Sequence, residues 1–212
     1  MKNLRILIAD DHALVRRGLR SVLEGRTGWT VCGEAQNGRE AVKLGLKLRP
    51  DIFLIDVTMP ELNGLDAARQ ISRSGGKAPI LILTMHDSEE LCGEAVQAGA
   101  SGCVLKSDSP RQLLEAVEAI AAGGTYFTRP LTSQSGGQRL GSQGAVPPRL
   151  SAREREIVQL LAEGHTSKEI ASRLGIAFKT VDAHRTNIMR RLNVHAVADL
   201  VRYAVRERII QA

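Results

Sequence analysis

Five polar side chains in the first half of the chain stand where apolar runs end. They are Asp10, Asp11, Asp56, Thr84 and Lys106. Three carboxylates brought together would repel one another unless a cation joined them, and Mg²⁺ takes such hard oxygen ligands. A carboxylate beside Mg²⁺ can attack a phosphoryl group and form an acyl phosphate. An ammonium and a hydroxyl can then neutralise the phosphoryl oxygens. If the five side chains meet, they form a set suited to phosphoryl transfer.

The elements that must position these side chains follow from the hydrophobic patterning of the first 127 residues. Five strand-like runs alternate with five helix-like segments. The runs are residues 4–9, 29–35, 52–56, 79–84 and 102–105, and the helical segments are residues 12–24, 38–48, 65–72, 88–99 and 109–123. The alternation predicts an α/β fold, a doubly wound five-stranded parallel sheet of flavodoxin-like form. Ligands of such sheets bind beyond the carboxyl ends of the strands, so we expect the five side chains to converge there.

Each of these residues alone has an ordinary structural explanation. An aspartate after a strand is commonly a helix N-cap, which would account for Asp11. Thr84 would then be a structural residue, and Lys106 a solvated charge. Their joint occurrence at four strand ends is much harder to explain in this way, and it favours a functional site.

The same residues carry a family resemblance. Residues 4–123 resemble the receiver domain of bacterial response regulators of the NarL/FixJ type. The matching motifs are Asp10-Asp11, Asp56 within LIDVTMPELNGLD, Thr84 within ILTMH and Lys106 within GASGCVLKS. Pro60 and Gly64 also stand at the family's offsets after the aspartate.

The resemblance implies a phosphoacceptor and a set of metal ligands. Asp56 would accept a phosphoryl group from a sensor histidine kinase. Asp11 and Asp56 would bind Mg²⁺ directly, with the Thr58 backbone carbonyl as a third ligand and Asp10 acting through water. We expect a transcriptional regulator and not an enzyme, although receivers of this family also catalyse the slow loss of their own phosphoryl group.

The resemblance also implies a switch, and here the chain departs from the family. Thr84 would supply the switch hydroxyl, and Lys106 would pair with the phosphoryl group. The family usually has Tyr or Phe three residues before this lysine, where the ring follows the threonine as it moves, but this chain has Cys103. Cysteine is small and commonly buried, so coupling from Thr84 must use another group or be weaker. We expect Cys103 to be an unreactive strand thiol, and a redox role is the alternative.

Residues 128–148 differ in composition from the segments on either side. Ser, Gln, Gly and Pro dominate there and apolar periodicity stops, which predicts a flexible linker between a receiver domain (1–127) and a second domain (149–212). Of the net charge of +6, the receiver contributes 15 − 16 = −1, the linker +2 and the second domain 12 − 7 = +5. The basic excess indicates a polyanionic partner for the second domain, although a solvated basic surface would explain it equally well.

Helical signals return after the linker. S/T-x-x-E capping boxes begin two helices, at Ser151 and Thr166. The second of these helices, a turn at Gly175 and a helix over 178–192 have helix-turn-helix form, and a major groove admits such a second helix. Residues 197–207 predict a fourth helix. A small bundle with a solvated basic helix is the alternative.

The segment LSAREREIVQLLAEGHTSKEIASRLGIAFKTVDAHRTNIMRRLNV strengthens the DNA-binding interpretation. Residues 149–210 resemble the LuxR-type DNA-binding domain. The resemblance implies four helices, with 178–192 in the groove of double-stranded DNA and the last helix forming the contact of an active homodimer. By this match the base-facing positions are Asp182, Ala183 and Thr186, and the residues that mainly hold the backbone are Lys179, His184, Arg185 and Asn187. Thr180 and Arg190 belong to the same polar face.

Targeting signals and cysteine usage favour a cytoplasmic protein. No apolar run approaches the roughly 20 residues needed to cross a bilayer, and the N-terminus reaches Asp10 and Asp11 before any cleavage-like site. The three cysteines, Cys32, Cys92 and Cys103, are odd in number and scattered. They fit neither a disulfide framework nor a zinc site, so we expect reduced thiols and no membrane partner.

Other functions on the same sheet fit the residues less well. A flavodoxin-like flavin protein needs a Ser, Thr or Gly loop after its first strand, whereas the DDH motif at 10–12 would repel the flavin phosphate. An aspartyl-phosphate hydrolase needs a second carboxylate two residues after its nucleophile, where this chain has Thr58. A receiver that is no longer phosphorylated is a third hypothesis. Cys103 favours it, and the intact set of acids, hydroxyl and ammonium argues against it.

Overall fold

The computed structural model describes residues 3–75, 78–128 and 150–210. They belong to two compact units, one α/β and one helical. The linker predicted at 128–148 lies outside the described residues apart from Thr128, and the boundaries of the three predicted segments stay predictions. Within the described part of the chain, no helix has the length and apolar character that crossing a membrane requires.

Within residues 3–75 and 78–128, six strands alternate with five helices. The strands are β1 (Leu4–Ala9), β2 (Trp29–Ala35), β3 (Ile52–Asp56), β4 (Ile80–Thr84), β5 (Gly102–Leu105) and β6 (Tyr126–Phe127). The helices are α1 (Ala13–Glu24), α2 (Gly38–Leu48), α3 (Gly64–Arg73), α4 (Glu89–Gln97) and α5 (Pro110–Ala121). The predicted doubly wound α/β fold is confirmed.

All neighbouring strands of the sheet run parallel, in the order β2-β1-β3-β4-β5-β6. The sequence predicts the first five strands but not β6, because two residues are too few to show a strand periodicity. Phe127 of β6 pairs in register with Cys103 of β5. Just beyond it, the Thr128 amide donates a hydrogen bond to the Cys103 carbonyl over 3.1 Å.

The sheet has a hydrophobic core on each face, because successive side chains of a strand point to opposite sides. Ile8, Leu54 and Leu83 pack with residues of α1 and α5. Ala9, Ile55 and Ile82 pack with residues of α2, α3 and α4. Burying a Leu or Ile side chain contributes roughly 1.5–3 kcal/mol, so the strands form a rigid frame whose carboxyl ends can hold a site in place.

Within residues 150–210, four helices surround a third core. They are α6 (Ala152–Ala162), α7 (Ser167–Leu174), α8 (Phe178–Leu192) and α9 (Val197–Arg206). Both predicted capping boxes are confirmed, since the hydroxyls of Ser151 and Thr166 accept hydrogen bonds from the N3 amides of α6 and α7. Gly175 ends α7 at φ +63°, a left-handed conformation that glycine adopts at little cost. The core includes Leu160, Ile170, Val181, Ile188 and Leu200.

Candidate functional site

Four strands deliver the predicted side chains to one edge of the sheet. Asp10 follows β1, Asp56 ends β3, Thr84 ends β4 and Lys106 follows β5. The Nζ atom of Lys106 lies 2.7 Å from Oδ2 of Asp10 and 2.9 Å from Oδ2 of Asp56. Both aspartates are buried, and the lysine side chain is nearly so. The structure therefore brings two of the predicted acids and the predicted ammonium into direct contact.

An acidic cluster surrounds this contact. One ligand atom each from Asp10, Asp11, His12 and Asp56 lies within 4.8 Å of the other three. Three carboxylates offer hard oxygen donors, and a divalent cation would relieve their mutual repulsion. The cluster fits a divalent-metal site. Sequence reasoning did not assign a role to His12, whose Nδ1 lies 2.7 Å from Oδ1 of Asp11, and its only signal was its place next to the acid pair.

Burial dominates the electrostatics of Asp56. Desolvation raises the pKa of the Asp56 carboxyl from 3.8 to about 6, although the Lys106 ammonium acts in the opposite direction. The charges of Asp10 and Asp11 raise this pKa further. Burial by itself lowers the pKa of Lys106, but its hydrogen bonds and charge interactions with Asp10 and Asp56 outweigh that effect and raise it. The lysine therefore keeps its charge, and it lies beside a carboxyl group whose charged form is disfavoured by burial.

Thr84 has its hydroxyl anchored in the loop that follows β4. The residue is buried, its Oγ1 accepts a hydrogen bond from the His86 amide over 3.0 Å, and its carbonyl accepts one from the Lys106 amide over 2.7 Å. Because Oγ1 acts as an acceptor here, its proton is available for another partner. Thr58 is half-buried two residues beyond Asp56, and its role as a carbonyl ligand stays a prediction. Cys103 is buried on β5, as expected for a strand thiol.

Gly64 allows the loop after β3 to fold back onto the strand that carries Asp56. Its amide donates a hydrogen bond to the Val57 carbonyl over 2.7 Å. A Cβ atom on Gly64 would lie 1.9 Å from the backbone oxygen of Asp56, which no side chain can do. This close approach is the physical reason for a glycine at the family's offset after the aspartate.

Arg16 is a buried cation that sequence reasoning missed. Its Nη1 donates a hydrogen bond to the Asp10 carbonyl over 2.7 Å, and its Nε lies 3.2 Å from Oε2 of Glu34 on β2. The other Glu34 oxygen accepts a hydrogen bond from Nε of Arg20 over 2.7 Å. These bonds restrain the backbone of the loop between β1 and α1, residues 10–12, which is called the acidic loop below. No feature of the residue pattern in α1 distinguishes Arg16 from a solvated charge.

The predicted recognition helix, α8, presents a polar band to solvent. Val181 and Ile188 are fully buried and fix the orientation of the helix on its core. The exposed predicted residues are Lys179, Thr180, Asp182, Ala183, Thr186, Asn187 and Arg190, while His184 and Arg185 are half-buried. Oδ1 of Asn187 accepts a hydrogen bond from Nη2 of Arg190 over 3.0 Å. All three predicted base-facing side chains therefore lie on the outward surface of the helix.

Arg191, near the end of α8, makes a structural contact with another helix and is not counted in the polar band. Its Nη1 lies 2.8 Å from Oε1 of Glu154, the capping glutamate of α6, and so links the two helices. In α9, Leu200, Tyr203 and Ala204 are buried in the core, whereas Val197 at the start of the helix is exposed.

Comparisons with known proteins identify a family for each of the two units. Residues 6–118 match the family described as the response regulator receiver domain, and residues 148–204 match the luxR family of bacterial regulatory proteins. Similar proteins include the transcriptional regulatory protein MctR of Rhizobium johnstonii, 36% identical over 98% of this chain and 95% of that protein. The oxygen regulatory protein NreC of Staphylococcus epidermidis is 38% identical over 98% of this chain and its own full length.

Solved structures also match nearly the whole chain. The response regulator ChrA of a heme-sensing two-component system is 33% identical, covers 99% of this chain and 100% of its own, and has a TM-score of 0.52. A structure of two RcsB dimers bound to two parallel DNAs is 27% identical, covers 95% of this chain and 98% of its own, and has a TM-score of 0.57. The chain belongs to the two-component response regulators that combine a receiver domain with a LuxR-type DNA-binding domain. It is a transcriptional regulator, as the sequence analysis predicts.

Proposed function

We propose that Asp56 accepts a phosphoryl group from a sensor histidine kinase. The observation that carries this assignment is the contact of Lys106 with Asp56 and Asp10 at the carboxyl edge of the sheet. A buried ammonium beside the nucleophile offsets the negative charge that arrives with a phosphoryl group. Asp56 is also the predicted acid that ends the central strand of the set, with β1 and β4 on either side.

We propose Mg²⁺ as the cation of the acidic cluster. The cluster supports a hard divalent ion, since three of its four ligand groups are carboxylates. Asp11 and Asp56 would bind it directly, the Thr58 carbonyl would be a third ligand, and Asp10 would act through water. When bound, Mg²⁺ would supply positive charge to the phosphoryl oxygens.

The chain's own groups account for the remaining chemistry. A carboxylate oxygen of Asp56 attacks the phosphorus atom, and the bond to the donor nitrogen breaks as the acyl phosphate forms. Lys106 remains close enough to pair with a phosphoryl oxygen, and Asp10 holds its ammonium in place. The Thr84 hydroxyl donates its proton to another phosphoryl oxygen, while its oxygen accepts the hydrogen bond from the His86 amide.

Phosphoryl uptake by the intact protein tests this assignment. The wild type, Asp56→Asn and Asp51→Asn would be incubated with Mg²⁺ and a small-molecule phosphodonor, and their intact masses recorded. Asp51 stands just before the opposite end of the same strand, where it accepts a hydrogen bond from the Arg5 amide, and is the matched control. We expect one labile phosphoryl group on the wild type and on Asp51→Asn, and none on Asp56→Asn. Equal uptake by all three proteins would rule out Asp56 as the acceptor.

We propose that α8 enters the major groove of double-stranded DNA and that the active protein binds as a homodimer through α9. The exposed band of α8 supports this, because its side chains can reach bases and phosphates while Val181 and Ile188 anchor the helix. The similar RcsB structure contains dimers bound to DNA, which supports binding as a dimer here. A regulator that must meet both DNA and a kinase acts in the cytoplasm, and we propose that location.

A further inference from the structure

His12 lies in the acidic cluster and has no part in the site as proposed above. Its Nδ1 atom lies 2.7 Å from Oδ1 of Asp11 and 3.5 Å from Oδ1 of Asp10. One ligand atom from each of these three residues and from Asp56 lies within 4.8 Å of the others. The histidine therefore adds one nitrogen donor to three carboxylates at the same place.

The position of His12 in the fold does not explain its side chain. His12 is the N-cap of α1, where Ser, Thr, Asp and Asn are preferred because their side chains accept hydrogen bonds from the first turn. Within residues 12–24, all of which the structure describes, the His12 ring makes no such bond. The His12 amide instead donates a hydrogen bond to Oδ1 of Asp10 over 2.8 Å. The backbone of His12 is thus fixed by an acid of the cluster, and its ring contacts another.

Both carboxylate oxygens of Asp10 are already engaged. Oδ1 accepts the bond from the His12 amide, and Oδ2 lies 2.7 Å from Nζ of Lys106. Asp10 is fully buried, whereas the side chains of Asp11 and His12 are 34% and 62% exposed. An ion that arrives from solvent therefore meets Asp11 and His12 before it reaches the buried acids. This arrangement leaves a place for a direct ligand other than Asp10.

The spacing of Asp11 and His12 suits two adjacent ligands of one ion. Adjacent ligands of an octahedral ion, each about 2.1 Å from the metal, are about 3.0 Å apart. Oδ1 of Asp11 and Nδ1 of His12 are separated by a similar distance, 2.7 Å. A neutral imidazole has a lone pair on one ring nitrogen and a proton on the other, so Nδ1 can bind an ion when the proton is on Nε2.

We propose that His12 is a direct ligand of the ion in the acidic cluster, and that it makes the site favour divalent transition-metal ions that bind imidazole. The proposal rests on the metal site proposed above and adds one ligand to it. Mg²⁺ binds through oxygen and gains little from the ring, whereas Ni²⁺ and Zn²⁺ bind both imidazole and carboxylate. His12 therefore determines which divalent ions compete with Mg²⁺ for the place beside Asp56.

Calorimetric titration of the full-length protein without an affinity tag tests this preference. The wild type, His12→Asn and His86→Asn would each be titrated with Ni²⁺ and, separately, with Mg²⁺, without a phosphodonor. His86 is the other histidine of residues 1–127 and does not belong to the cluster of four, so it is the matched control. Asn is a favoured N-cap residue, so His12→Asn keeps the start of α1.

We expect His12→Asn to weaken Ni²⁺ binding by about tenfold or more, since even groups behind metal ligands commonly contribute that much. Its Mg²⁺ affinity should stay near the wild-type value, and His86→Asn should bind both ions as the wild type does. Equal losses for the two ions in His12→Asn would show that His12 only orients Asp11, and would overturn the proposal. Unchanged Ni²⁺ affinity in His12→Asn would overturn it as well.

Proton NMR at one equivalent of Ni²⁺ identifies the ligand itself, because the paramagnetic ion shifts the ring protons of a bound histidine far outside their ordinary range. We expect shifted ring signals from one histidine, which are lost in both His12→Asn and Asp11→Asn and kept in His86→Asn. Bound Ni²⁺ without these signals, or signals that persist in His12→Asn, would overturn the role of His12 and leave the metal site intact. A wild type that binds neither Ni²⁺ nor Mg²⁺ would overturn both proposals.

Discussion

The ammonium nitrogen of Lys106 lies 2.9 Å from a carboxylate oxygen of Asp56, yet the pKa of Asp56 is raised, not lowered. The reason is that burial and the neighbouring acids outweigh the lysine. The surroundings of Asp56 therefore do not fully offset its negative charge, and a cation that binds at this edge of the sheet would offset the remainder.

Removing the lysine charge should slow phosphorylation. In Lys106→Met the side chain keeps its length and loses its ammonium, so the phosphoryl oxygens lose a preorganised partner. We expect uptake from a small-molecule donor to slow by about a hundredfold, the usual effect of losing one such partner. The measurement is the initial rate of acyl phosphate formation at saturating Mg²⁺. Arg111→Met, which removes an exposed cation paired with Glu115 on α5, is the control and should behave as wild type.

The raised pKa of Asp56 predicts a pH-dependent cost in stability. Below about pH 3 the carboxyl is protonated in both the folded and the unfolded protein, and Asp56→Asn should have little effect. As the pH rises from 3.8 towards 6, the unfolded carboxyl ionises while the folded one keeps its proton, so the wild type loses stability. Above about pH 6 the variant should be more stable by about 2–3 kcal/mol in metal-free buffer.

Fluorescence of the single tryptophan makes this measurable within the receiver. Trp29 lies on β2, and the chain has no other tryptophan. Urea unfolding followed at several pH values would give the difference in free energy, and added Mg²⁺ should shrink it because the ion stabilises mainly the wild type. A stability difference that does not vary between pH 4 and 8 would show that the burial of Asp56 does not control it.

Arg16 should act as a positioning residue for the metal site. Its guanidinium holds the Asp10 carbonyl, so Arg16→Met should loosen the acidic loop and weaken Mg²⁺ binding by about tenfold or more, as is common for groups behind metal ligands. Arg20→Met removes the other partner of Glu34 and leaves the Asp10 bond intact, so its Mg²⁺ affinity should stay near the wild-type value. Calorimetric titration measures both. Equal losses of Mg²⁺ affinity in the two variants would mean that the ion pairs with Glu34, and not the bond to the Asp10 carbonyl, determine the affinity.

Substitutions on α8 should separate affinity from specificity. Lys179→Ala should weaken binding to all DNA sequences by a similar factor and reduce the salt slope by about one, because it removes one phosphate contact. Asp182→Ala should instead alter the ranking of related sites, since an acid at a base-facing position selects against some of them. Titrations on a cognate and a scrambled duplex, each at several salt concentrations, distinguish the two outcomes. A sequence-dependent effect of Lys179→Ala would assign this lysine to base recognition.

The helical unit alone should bind DNA at least as well as the unphosphorylated full-length protein. We expect the receiver to block α8 or its dimerisation until Asp56 is phosphorylated, with a shallow and mainly steric barrier, because the receiver charge of −1 is a weak partner for +5. The third core supports independent folding of residues 149–212. Binding of this fragment and of the full-length protein would be compared on one promoter at one salt concentration. A weaker fragment would indicate that the receiver helps only by dimerising.

Sequence periodicity predicted the frame of the site because a parallel sheet places the ends of its strands at one edge. The hydrophobic runs predicted the five longer strands, and that rule then predicted that the five polar side chains at their ends would lie together. It failed where burial does not follow residue type. In α1 the apolar residue Leu14 is 82% exposed, while Arg16 is buried against the acidic loop. No local pattern indicates that a guanidinium will find a carbonyl and a carboxylate in the folded chain.

Contacts between distant elements were equally beyond local patterns. Two elements that are predicted separately do not reveal which of their side chains will touch. The Arg191–Glu154 link is of the same kind, since a basic residue on a DNA-facing helix is expected to contact DNA. The distinction between a structural and a functional cation required the packing of α6 against α8.

The short strand β6 fixes the place where the chain departs from the receiver. Thr128 donates its amide to the Cys103 carbonyl, and its hydroxyl lies 3.0 Å from a carboxylate oxygen of Asp108. The last described residue of the receiver is thus fastened to the strand that carries both the thiol and, one residue beyond its end, the lysine. Because of these bonds, a displacement of β5 would also displace Thr128, so a change at the end of β5 that carries Lys106 would reach this residue without passing through any helix.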